Sequence, residues 1–173
     1  MSSIIQSFEG INRVMQECIK KEIRTGGLLE DVETFIPIFY HDSVIDEPVI
    51  WMTQHPSTAE SQADLSQSMV LITPFEFDCA VYKPELEDAQ FASQNLATRV
   101  VLAVTKNFLT VQKELFGKRI IKNIRFQTFY PVGDGIAIQG KSDKLPATGV
   151  ILNVVHPVNW IMCCKQLQNN QGE

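Results

Sequence analysis

Residues 69–83 read MVLITPFEFDCAVYK, and they alternate. Phe75, Phe77, Cys79 and Val81 fall on one side of an extended chain, and Glu76, Asp78, Ala80 and Tyr82 on the other. This period of two marks a strand with one face in a core. Pro84 breaks the pattern. From residue 85 onward Leu96, Val100, Val104, Phe108, Val111 and Leu115 recur every three or four positions, which is one face of a long helix. Any fold for this chain must therefore place a long helix directly after a long half-buried strand.

The rest of the chain supplies partners for that pair. Ile4, Phe8, Ile11, Met15, Cys18 and Ile19 form the apolar stripe of a first helix over residues 2–24. Ser2 or Ser3 caps its start, and Gly26 and Gly27 end it. Residues 34–40 (TFIPIFY) are strand-like but contain Pro37, which places them at a sheet edge, a bulge or an arm. Residues 48–54 are a further strand candidate. Residues 55–68 are small and polar and read as a loop, with a short helix as the alternative. After Gly117, residues 119–130 alternate as a strand, residues 131–135 (PVGDG) read as a turn, and residues 136–139 as a short strand. Residues 140–149 form a second polar loop. Residues 150–155 form a strand that Pro157 ends, residues 159–167 are one more strand or a short helix, and the last six residues are a polar tail.

This order predicts one α+β domain over residues 1–173. It has a mainly antiparallel sheet, with two helices at about 3–24 and 86–116 packed on one face. At 173 residues the chain is long enough to hold a core without staples. Charged residues make up 20% and hydrophobic ones 45%, a globular rather than a disordered composition. The net charge is −5 with no run of Lys or Arg, which argues against a dedicated nucleic-acid binder. No apolar run approaches the ~20 residues of a membrane span, and the first residues do not form a signal peptide. Cys18 and Cys79 fall on apolar faces and are read as core residues. Adjacent Cys163 and Cys164 are poorly placed for a mutual disulfide. Reduced cysteines suit synthesis in a cytoplasm.

Chemistry is sparsely marked. His41 beside Asp42 has the composition of a base or metal ligand, but a polar turn is the plainer reading. His55 and His156 each precede a proline, at expected strand ends. Gly133 and Gly135 lack the pattern of a phosphate loop. Glu76 and Asp78 point the same way from one strand, a pair that a hydrolase can use and that a solvated or subunit-facing surface also carries. No catalytic residue, metal or cofactor is expected. Trp51, Met52, Glu76, Asp78, Lys141, Lys144 and Trp160 are instead the candidates for a subunit or partner interface, where aromatic anchors are common.

Laid out this way, the chain resembles the tail terminator (tail completion) proteins of long-tailed viruses of bacteria and archaea. The matching elements are residues 4–23, 49–54, 69–83, 89–111 and 120–155. The resemblance implies a virion protein of the tail or neck, assembled in the host cytoplasm, with no enzymatic activity. It implies a homo-oligomeric ring, a hexamer, that ends growth of the tail-tube protein and joins a neck or connector protein. DNA would pass through the lumen without a dedicated site, and no membrane is involved. Such a ring needs two different patches per subunit whose rotation closes. Residues 55–68 and 140–149 are the expected arms. The alternatives are another tail or neck subunit, or a small cytoplasmic enzyme or ligand-binding domain. That last reading requires His41, His55 or His156 to converge with Glu76 or Asp78. A nucleic-acid adaptor is the reading that the charge balance disfavours.

Overall fold

The alternating segment forms the central strand. The computed structural model describes residues 3–37, 47–59, 69–137 and 144–158. Its elements run α1 (Ser3–Glu22), β1 (Thr34–Ile36), β2 (Val49–Gln54), β3 (Thr58–Ala59), β4 (Met69–Ala80), α2 (Leu86–Phe116), β5 (Asn123–Ile136) and β6 (Leu145–Val158). The fold is α+β. Six strands form one sheet in the order β1-β2-β4-β6-β5, with β3 also paired to β4. All pairings are antiparallel except β1 with β2. β3 follows β2 along the same side of β4, opposite Ile72 and Leu71.

Both helices lie on one face of this sheet. Phe75, Phe77 and Cys79 of β4, Val150, Leu152 and Val154 of β6, and Ile50 and Met52 of β2 point into a single core. Ile11, Met15 and Ile19 of α1 and Leu96, Val100 and Val104 of α2 fill the same core. Burying each of the two phenylalanines contributes about 2–3 kcal/mol. Cys18 and Cys79 are free thiols in this core, as expected, and burial pushes the Cys18 thiol up to about 12. A second, smaller cluster of Val49, Ala80, Ile136, Leu145 and Ala147 lies apart from it, with Ile36, Trp51 and Val132 against its edge.

The junction from β4 to α2 is tied by Ser93. Its hydroxyl accepts from the Val81 N–H at 3.2 Å and lies 2.8 Å from the Ala89 carbonyl and 3.2 Å from that of Pro146. α2 ends at Gly117, whose φ of +64° is the left-handed conformation favoured by glycine. Gln112, buried in the last turns, then accepts from the Ile120 and Ile121 N–H groups, both at 2.8 Å, and aims the chain into β5.

Several expected boundaries are corrected. Residues 131–135 are not a turn. They lie inside β5, which runs to Ile136 with register shifts near residues 127 and 133–135. β6 starts at Leu145 rather than residue 150 and continues through Pro157, so much of the expected second loop is strand. Two residues of the expected first loop form β3. The strand at residues 34–40 is described only over Thr34–Ile36. Residues 60–68, 138–143 and 159–173, with Lys141 and Trp160, lie outside the described residues, as does His41.

Candidate functional site

The helix-free face of the sheet carries the molecule's main polar constellation. Because side chains alternate along a strand, Glu76 and Asp78 point away from the core that takes Phe75 and Phe77. β6 pairs Ile151 with Glu76 and Gly149 with Asp78, and β5 pairs Tyr130 with Gly149. The Tyr130 ring therefore lies across Gly149, in the space that any Cβ there would occupy. Its hydroxyl reaches over β6 to β4. It hydrogen-bonds the Glu76 carboxylate and lies 3.1 Å from Asp78 Oδ1. On the far side, His55 follows the end of β2, where its N–H bonds the Pro74 carbonyl at 2.9 Å. Its ring Nε2 meets the other oxygen of Glu76.

The four groups form one chain: His55, Glu76, Tyr130, Asp78. Burial pushes the Asp78 carboxyl up to about 6, and the neighbouring Glu76 charge pushes it the same way. The Tyr130 hydrogen bond and the His55 ring pull it back only in part. Burial also holds the Tyr130 hydroxyl well above its ordinary value, as do the hydrogen bond to Glu76 and the carboxylate charges. The phenol thus stays protonated and acts as the bridge between two carboxyl groups. When Asp78 holds a proton it donates to the Tyr130 oxygen, and Tyr130 donates onward to Glu76. The arrangement can hold a proton on Asp78 and release it as pH rises through about 6.

The other expected interface residues separate. Trp51 pairs with Asp78 and lies on the same face, where its indole N–H is buried without a hydrogen-bond partner among the described residues. Met52 is the correction: it points to the opposite face and is fully buried in the main core, so it is a packing residue. Lys144 is exposed at the start of β6. Of the histidines, His55 joins the carboxylates and His156 does not. His156 is fully buried on the helix side, 2.8 Å from the Thr73 hydroxyl and edge-on to Phe8. Tyr130 was not singled out by the sequence. Only its pairing with Gly149 places it over the carboxylates, and no spacing in the chain encodes that.

Among the described residues, no group of three or more His, Cys, Asp or Glu is arranged to hold a metal ion, and no helix is long and apolar enough to cross a membrane. A cleft of about 550 Å³ lies between α2 and β5. It is lined by Gln90, Gln94, Thr98, Phe129, Tyr130, Pro131 and Thr148, a set of amide, hydroxyl and ring groups without carboxylate, imidazole or thiol. Comparison with protein-family models and with curated proteins gives no match to this chain.

Proposed function

We propose that this chain is a structural virion protein, a tail-terminator subunit. In this reading it closes into a homo-oligomeric ring, a hexamer, at the head-proximal end of a viral tail. The ring ends growth of the tail tube and joins a neck or connector protein. The observation that carries the reading is the order and exposure of the elements. A first helix and an early strand precede a long strand, a long helix and a long hairpin. Both helices share one face of the resulting sheet and leave the other to other contacts. A close variant, a tube or connector subunit, uses the same features.

One observation favours a second reading, a small enzyme or ligand-binding domain: His55 does converge with Glu76, and Tyr130 links that pair to Asp78. The test is native mass by light scattering, with negative-stain images of the same sample, for the wild type and for Glu76→Lys and Asp78→Lys. The ring reading expects ring particles that both variants lose while each monomer still melts cooperatively. Wild-type rings that survive both charge reversals would remove this face from the interface. A wild-type monomer that loses a bound ligand on Tyr130→Phe would replace the reading with the second one.

A further inference from the structure

The outward side of α2 is built unlike an ordinary solvent face. Phe91, Gln94, Thr98, Leu102, Thr105 and Leu109 follow one another at spacings of three and four residues, so they form one stripe. All six are exposed, and the stripe lies opposite the core-facing Ala89, Leu96, Val100 and Val104. Phe91 is 59% exposed, Leu102 50% and Leu109 51%. None of the six is charged. The two threonines turn their hydroxyls back to their own helix: Thr98 donates to the Gln94 carbonyl at 2.9 Å, and Thr105 to that of Val101 at 2.8 Å. Their methyl groups are left to face outward. Phe126 and Phe129, in contact at 4.9 Å between ring centroids and both exposed, extend this apolar surface onto the neighbouring edge strand β5.

The stripe is bounded by opposite charges. Glu87, with Glu85 and Asp88 beside it, precedes Phe91, and Lys113 follows Leu109. The sequence beyond extends the positive end. Six of the fifteen Lys and Arg residues lie between residues 106 and 125, with Glu114 the one acidic residue there. Local net charge is thus +5, which leaves −10 for the rest of the chain. Lys113, Lys118 and Lys122 are exposed and form no ion pair among the described residues.

We infer that this stripe is a self-association surface, on which the α2 helices of two copies pack antiparallel about a two-fold axis at the level of Val100. The charges choose the partner and the direction. In a parallel pair Glu87 would face Glu87 and Lys113 would face Lys113. In the antiparallel pair Glu87 of each copy meets Lys113 of the other, Phe91 meets Leu109, and Thr98 meets Leu102. A two-fold contact is self-complementary by construction, and in this stripe Phe91 and Leu109, and Thr98 and Leu102, lie at equal distances on either side of the centre. It spans about 27 Å at 1.5 Å per residue, enough for a helix pair at the usual 8–10 Å separation. Phe126 and Phe129 flank the seam. The contact uses the helical layer and not the sheet face invoked above, so it stands without the ring reading.

Sedimentation velocity from about 1 to 100 µM tests it, a range that brackets a micromolar dimer. The expected wild type is a dimer at the upper end. Leu102→Glu should weaken association about tenfold or more, because it buries a charge at the seam. Glu87→Lys and Lys113→Glu should each weaken it about three- to tenfold, and the double exchange should restore it. All three positions are exposed, so unchanged thermal melting separates these effects from misfolding. A wild type that stays monomeric throughout overturns the proposal. So does any assembly whose mass is indifferent to Leu102→Glu, or a double exchange that fails to restore the single losses.

Discussion

Two titratable side chains, one buried and one half-buried, act on stability in opposite senses. His156 is fully enclosed, and burial pushes its imidazole down to about 4 from an ordinary 6.5. The unfolded chain therefore binds a proton that the folded chain refuses, and stability falls as pH drops from about 6.5 through 4. Asp78 is raised from an ordinary 3.8 to about 6, so the folded chain keeps a proton that the unfolded chain releases. Its contribution is complete below 3.8 and is lost as pH rises through 6. In the wild type the two slopes partly cancel. Urea unfolding across pH 4–8 should separate them. Against His156→Gln, the wild type should lose about 3 kcal/mol more between pH 7 and 4, the free energy of a shift of that size. Asp78→Asn should exceed the wild type in stability at pH 8 and match it below pH 4. Parallel profiles for all three proteins would contradict both assignments. At this scale the sequence showed Glu76 and Asp78 as a pair, because alternation alone sets their direction. It did not show that His156 is enclosed or that Tyr130 crosses Gly149, since both depend on which strands pair.

At the scale of elements, one carboxylate ties the end of α1 to the middle of α2. Glu22, the last residue of α1, is only 3% exposed. It accepts from the Leu28 N–H at 2.9 Å and the Asn107 amide at 2.6 Å, and it pairs with Lys106 at 2.9 Å. Burial alone would raise its pKa, but these donors outweigh it and hold the group down to about 2. The turn after α1 and the middle of α2 are thus fixed by the same side chain. Glu22→Ala leaves one N–H of the Asn107 amide and the Leu28 N–H unsatisfied, and it should cost about 2–4 kcal/mol by urea unfolding at pH 7. A loss under about 0.5 kcal/mol, typical of surface substitutions, would show that the contact is incidental. The elements themselves were readable because each long one follows a single period. The misread ends of β5 and β6 involve proline. Proline donates no ladder bond and is tolerated where a strand lacks a neighbour. Pro131 lies on the edge strand β5. Pro157 lies beyond Val155, where β5 pairing stops, and Pro146 lies beyond Ala147, where β4 pairing stops. Pro74 faces the gap between β2 and β3. A local breaker signal cannot reveal a missing neighbour, so these strands extend further than their punctuation suggests.

At the scale of the whole molecule, the long helix α2 is electrically polar along its axis. Glu85, Glu87 and Asp88 mark one end of the helix. Lys113, Lys118, Arg119 and Lys122 mark the other. At 1.5 Å per residue these ends are about 45 Å apart, several Debye lengths at physiological salt. Ions therefore screen the two ends from each other within one molecule. In an antiparallel pair each negative end lies beside the partner's positive end at contact distance, where screening is weaker but not absent. The apolar stripe between them does not depend on ionic strength in this way. Raising salt from 50 to 500 mM should therefore weaken the wild-type dimer, but by no more than about thirtyfold, because two exposed ion pairs contribute about 0.2–1 kcal/mol each. In Glu87→Lys the same change should strengthen what association remains, since salt then screens a repulsion between the introduced lysine and Lys113 of the other copy. Opposite signs in the two proteins, read by sedimentation velocity on one concentration series, would tie the seam to these charges and to this direction of packing. The same sign in both would mean that the ends of α2 do not meet.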